Sequence, residues 1–118
     1  MDLQGLTHAL LKFRDERNWA QFHTLRNLIV SLNLEAAELL ELTQWKTDEE
    51  MSTALNEAET REALQDECAD VLLYLLLIAE KAGIDLELAA RSKLDKNAEK
   101  YPVEKSYGSS RKYTQLGN

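Results

Sequence analysis

The sequence predicts an all-α fold, a four-helix bundle with one short extra helix. Three observations carry that prediction. Ala, Leu, Glu and Lys dominate and favour helix, while one Pro and four Gly are too few for the turns of an all-β chain. Apolar residues recur at helical spacing in four long segments. The run Val71–Ala79 is apolar throughout, more than one face of a lone bundle requires. That excess predicts a homo-oligomer in which part of the run, or its surroundings, is covered by another copy.

Each element follows from local signals. Asp2 caps a first helix that runs to about Arg17, with Leu3, Leu6, Leu10 and Phe13 as its apolar stripe. The connector Trp19-Ala20-Gln21-Phe22-His23 is rich in aromatics, whereas surface connectors are usually small and polar. Trp19 can plug the end of a bundle, and His23 can serve as a capping or solvent-facing residue. Thr24 caps the second helix, expected to end near Gln44-Trp45-Lys46. Thr47-Asp48-Glu49-Glu50 matches the Thr-x-x-Glu capping box and opens a short helical segment to about Asn56. A third long helix begins at or just before Thr60 and stops at Gly83. Asp85 caps the fourth, which reaches about Lys100 before Pro102. Residues 1–102 are expected to form one helical domain. Residues 103–118 are expected to be a tail that is mobile unless a partner chain or ligand orders it.

The totals exclude several functions. A formal charge of −7 is the wrong sign for a nucleic-acid polymer as partner. It leaves room for a phosphorylated small molecule, because only the local field at a site matters. Cys68 has no second cysteine to pair with and, within an apolar helix, is expected to be a buried thiol. Asp2 and its polar neighbours do not resemble a signal peptide. The apolar run falls far short of the ~20 residues of a spanning helix, so no membrane association and a cytoplasmic location are expected.

Chemistry enters through two matching anomalies. Leu28, Leu32, Glu35, Leu39 and Leu42 share one helical stripe, and so do Leu64, Glu67, Val71, Tyr74 and Ile78. A carboxylate among leucines is costly to bury without compensation. Glu38 and Asp70 each lie three residues further on, and so fall on the same helix faces as Glu35 and Glu67. If the two helices pack against each other, four carboxylates converge, and that arrangement needs a cation. An all-oxygen set favours Mg²⁺, with Mn²⁺ as a substitute, over zinc. Glu41 extends the first set as a further ligand or a base. No His is placed three or four residues from these acids, so the Glu-x-x-His signature of di-iron bundles is missing. A lone Glu-x-x-Glu is ordinarily a solvated pair; the second pair, also inside an apolar stripe, is what argues otherwise.

Glu-x-x-Glu on one helix followed by Glu-x-x-Asp on the next resembles the motif of the MazG-like all-α nucleoside triphosphate pyrophosphatases. The similarity extends over Trp19-x-x-Phe22-His23, Asn27-Leu28, Gln44-Trp45-Lys46, Asp70-Val71-Leu72-x-Tyr74, Lys93-x-Asp95-x-Asn97, Tyr101-Pro102 and Ser110-Arg111-Lys112-Tyr113-Thr114. These blocks look like the small, single-domain dCTP pyrophosphatase branch. The resemblance implies that Glu35, Glu38, Glu67 and Asp70 bind Mg²⁺. It implies hydrolysis at the α-phosphorus to nucleoside monophosphate and pyrophosphate, with Glu38 or Glu41 as base, in nucleotide-pool house-cleaning. Trp19 and Trp45 would stack on the base, and His23 would contact base or phosphate. Tyr74 would lie against the deoxyribose, and Lys93 and Asn97 would contact phosphate or sugar. Arg111 and Lys112 would close over the triphosphate. A dimer, or a tetramer built from dimers, is implied as well. The competing expectation is a non-catalytic acidic helical module that binds a basic partner.

Overall fold

The computed structural model describes residues 2–117, and among them there are six α-helices, two short 3-10 turns and no strand. The all-α expectation is met. The chain divides into two compact units, one up to Ile84 and one from Asp85 onward.

The first unit contains α1 (Leu3–Glu16), a 3-10 turn (Ala20–Phe22), α2 (Leu25–Glu41), α3 (Asp48–Ala54) and α4 (Ala58–Ala82). Its caps are those the sequence predicts. Asp2 Oδ1 accepts from the Gly5 N–H at 2.8 Å, and Thr24 Oγ1 accepts from the Asn27 N–H at 3.1 Å. Thr47 and Glu50 form the full reciprocal capping box at the start of α3. Gly83 closes α4 in the left-handed region, φ +70°, and the Ile84 N–H reaches back to the Ala79 carbonyl at 2.8 Å.

Helix α2 ends earlier than expected. It stops at Glu41, and turns through Trp45 follow, with Trp45 itself at φ +65°. Thr43 and Lys46 turn their side chains onto the carbonyls of Leu40 and Leu42, which competes with continuing the helix.

Helix α4 is the centre of the unit and packs chiefly against α2, and also against α1. The buried apolar residues are Leu28, Ala54, Leu76, Leu77 and Ala79, so the apolar run of α4 does form the core. On α2, by contrast, Leu25, Ile29, Val30, Leu34 and Leu40 stay exposed. Cys68 is exposed as well, a correction to the expected buried thiol. It follows Glu67, which is turned inward, and one residue along a helix rotates a side chain by about 100° away from that face.

The second unit contains α5 (Leu86–Lys100), the single-turn α6 (Val103–Ser106) and a 3-10 turn (Tyr113–Gln115). Asp85 Oδ1 caps α5 through the Leu88 N–H at 3.0 Å. The tail carries more structure than its composition predicts. Tyr113 packs edge-on against Tyr101, ring centroids 6.1 Å apart, and the Lys100 ammonium lies 4.9 Å from the Tyr113 ring.

Candidate active site

The packing of α2 on α4 brings Glu35, Glu38 and Glu67 together: one carboxylate oxygen from each lies within 4.8 Å of the others. The apolar stripes of the two helices dictate this, since Glu35 and Glu67 occupy stripe positions that must face the partner helix. Glu35 and Glu67 are half-buried and Glu38 is exposed. One oxygen of Glu35 and one of Glu67, Oε2 in each case, is buried without a hydrogen-bond partner. Orphaned carboxylate oxygens in a converging acidic set are what a hard divalent cation satisfies. The residues present therefore fit such an ion.

The electrostatics agree. Partial burial, then Glu38, then the charges of Asp70 and Glu67 push the Glu35 carboxyl up to about 7. Partial burial and Glu38 push Glu67 up as well, against an opposing contribution from Glu35. Like charges held this close resist ionising together. A carboxyl raised in the fold binds more protons there than in the unfolded chain between pH ~4.5 and 7. Its contribution to stability is thus complete below that window and is lost as pH rises through it. The metal-free protein should accordingly melt at a lower temperature at pH 8 than at pH 5.5. Added Mg²⁺ should stabilise it far more at pH 8, by about 2.7 kcal/mol at a hundredfold excess over Kd. Thermal melts in chelator and in Mg²⁺ at the two pH values check this, and a Mg²⁺ effect equal at both would contradict it.

Asp70 does not join the tight group of three, although its charge acts on both Glu35 and Glu67. One turn on from Glu67, it lines a neighbouring cavity of about 140 Å³ with Trp19, His23, Tyr74, Phe13 and Arg14. Asp70 is thus the residue shared by the acidic set and the aromatic cavity. The volume is below the ~300–1,000 Å³ of sites that swallow a whole small molecule, and suits a single ring.

The end of α1 builds the cavity's aromatic wall. Asn18 takes up a left-handed conformation, φ 54°, and the Trp19 N–H returns to the Arg14 carbonyl at 3.1 Å. This closure sets Trp19 edge-on to Phe13, ring centroids 5.8 Å apart, the apolar contact that commonly accompanies such a helix end. Trp19 keeps 44% of its surface exposed, so it walls an opening instead of plugging a core. His23 is half-buried with Nδ1 unpartnered, and burial together with the Arg14 charge holds its pKa below the ordinary range. At neutral pH it is an uncharged ring with one acceptor and one donor.

Of the other predicted residues, Glu41 is exposed at the last turn of α2 and lies outside the group of three. Trp45 is 90% exposed and takes no part in the cavity. Lys93, Asn97, Arg111 and Lys112 belong to the second unit, where Asn97 is half-buried and the other three are exposed. Arg14 was not foreseen. Its side chain is only 17% exposed and is held by Asp15 at 2.8 Å and Glu80 at 3.5 Å. The signal was its spacing: four residues after Leu10, it falls on the inward stripe of α1.

Comparison with known proteins agrees with this geometry. The profile of the MazG-like family matches residues 30–116. The chain belongs to the MazG-like family. It is 45% identical to human dCTP pyrophosphatase 1 and 44% identical to the rat protein of that name. Each alignment covers 97% of this chain and 67% of the relative. A crystal structure of a pyrophosphatase from Archaeoglobus fulgidus DSM 4304 superposes with a TM-score of 0.78 at 40% identity, over 84% of this chain and 91% of the other.

Proposed function

We propose that this MazG-like chain is a Mg²⁺-dependent pyrophosphatase of deoxynucleoside triphosphates, dCTP-like or non-canonical, that serves in nucleotide-pool house-cleaning. The observation that carries this reading is the three-carboxylate group with its orphaned oxygens, joined through Asp70 to a ring-sized aromatic cavity. The relatives named dCTP pyrophosphatase 1 support the substrate class.

Glu35, Glu38, Glu67 and Asp70 hold the cation in this reading, with Mn²⁺ as a substitute. When bound, the ion neutralises triphosphate charge and lowers the pKa of a water, so that attack at the α-phosphorus yields monophosphate and pyrophosphate. Glu38, exposed at the edge of the group, and Glu41, one turn on, are the candidates for accepting the water's proton. Trp19 offers an aromatic face to the base, and His23, uncharged, offers a donor and an acceptor to its edge. Tyr74, one turn past Asp70 and lining the same cavity, is in this reading the contact to the deoxyribose. Lys93, Asn97, Arg111 and Lys112 are carried over from the family pattern as phosphate and sugar contacts of the second unit. Trp45, solvent-facing in the single chain, contributes to base stacking only if another surface covers it.

Residues 1–102 form the pyrophosphohydrolase domain in this reading, and residues 103–118 its tail. The exposed apolar side chains along α2 support assembly as a dimer or a dimer of dimers. Among the described residues no helix is long and apolar enough to cross a membrane, in keeping with a proposed cytoplasmic location.

The test is a panel of triphosphates scored for both products. Purified protein with Mg²⁺ should release pyrophosphate and no orthophosphate, dCTP being among the best substrates. Release of orthophosphate, or turnover in chelator equal to that in Mg²⁺, would overturn the proposal.

A further inference from the structure

Stacking and metal binding leave one group of the aromatic cavity without a task, the cation in its wall. Arg14 lines the cavity alongside Phe13, Trp19 and the apolar side chains of Leu10, Leu73 and Leu77. Its side chain is anchored twice: Nε donates to Asp15 at 2.8 Å, and Nη1 donates to Glu80 of α4 at 3.5 Å. The pair with Glu80 is, among the described residues, the one side-chain ion pair that joins two helices. An arginine free to swing loses rotamer entropy when it meets a ligand, and one already held loses less.

A guanidinium carries five N–H donors and no acceptor. Two nitrogens of Arg14 are engaged, and Nη2 has no partner among the described residues. Asp15 and Glu80 offset the charge, so Arg14 meets a ligand as a donor fork more than as a trap for phosphate. Burial and the Arg14 charge together disfavour protonated His23, which keeps one donor and one acceptor and suits many base edges. Asp70, shared with the acidic group, faces the cation in the proposed reaction. What the cavity wall still lacks is an acceptor for Arg14. Pyrimidines differ in this respect. Cytosine presents two adjacent acceptors, O2 and N3, whereas uracil and thymine carry an N3–H donor between two carbonyls. The fork pairs with the first edge and opposes the second. A cavity of about 140 Å³ suits one ring, which disfavours purines.

We propose that Arg14 determines base specificity, selecting a cytosine-type edge over uracil and thymine. Trp19 takes the face of the ring and Arg14 its edge, so discrimination needs both. The Trp19 N–H, bonded to the Arg14 carbonyl at 3.1 Å, keeps the two residues side by side. That a nucleotide base enters the cavity rests on the pyrophosphatase reading; the anchored donor fork does not. Calorimetric titration of the full chain with the α,β-imido analogues of dCTP and dUTP, in Mg²⁺, tests the assignment without turnover. The parent chain should bind the cytosine analogue more tightly. Arg14→Met, which keeps a stem and removes every donor, should cut that preference by roughly 5- to 150-fold, the worth of one bidentate pair. The loss should fall on the cytosine analogue. Arg14→Lys, which keeps the charge but not the fork, should retain only part of the preference. It carries the test alone if circular dichroism shows that Arg14→Met has lost its helices. Equal weakening of both analogues would mean that Arg14 merely ties α1 to α4, and would overturn the proposal. So would a parent chain that binds neither analogue or shows no preference, or a preference undiminished in the variants. Cytosine preference in a parent chain that releases no pyrophosphate from dCTP would fail the pyrophosphatase reading and leave Arg14 as the reader of the base.

Discussion

Replacing Glu38 by Ala should lower pyrophosphate release by at least ~100-fold, since even outer partners of metal ligands cost 10–100-fold when removed. Helicity should be unchanged, because Glu38 is exposed and its loss opens no cavity in the core. The same substitution removes a charge that pushes up both Glu35 and Glu67. Those two carboxyls should then titrate closer to the ordinary range, and the metal-free protein should lose less stability between pH 5.5 and 8. Glu49→Ala, on the exposed face of α3, is the control and should leave turnover unchanged. Steady-state assays with pyrophosphate detection, together with circular dichroism, decide the matter. Turnover that survives Glu38→Ala would remove the metal assignment.

Trp19→Ala should act differently, raising KM far more than it lowers kcat. Stacking on one base is worth ~1–3 kcal/mol, which corresponds to a KM increase of roughly 5- to 150-fold. Substrates that differ only in their base should converge in KM once the ring is gone, because the group that senses the base has been removed. An equal loss of kcat for every substrate, with KM unchanged, would instead mean that Trp19 merely supports the fold through Phe13.

Much of this was legible in the sequence, for identifiable reasons. Helix starts were readable because a cap is a local event. Asp2, Thr24, Thr47 and Asp85 each bond a backbone N–H three residues on, whatever surrounds them. The acidic group was readable because Glu35 and Glu67 break apolar stripes that must face inward. Its fine structure was not, since periodicity gives a face but no distance. Asp70 falls on the same face as Glu67, yet it belongs to the cavity more than to the tight group of three.

Trp45 escaped for a related reason. Its helix ends four residues sooner than the pattern suggested, and the left-handed turn there points the ring into solvent. Arg14 was concealed by its own chemistry. An arginine at a helix end reads as a solvated charge until Asp15 and Glu80 are seen to hold it against the cavity. The contact of Tyr113 with Tyr101 and Lys100 was not legible in the tail, because Ser and Gly content reports only a weak local preference.

The central claim is that the carboxylate group directs water to the α-phosphorus. Hydrolysis of dCTP in ¹⁸O-water with Mg²⁺, followed by mass spectrometry of both products, tests it most directly. One labelled oxygen in the nucleoside monophosphate and none in pyrophosphate is the predicted result. Label in the pyrophosphate, or release of labelled orthophosphate, would contradict it.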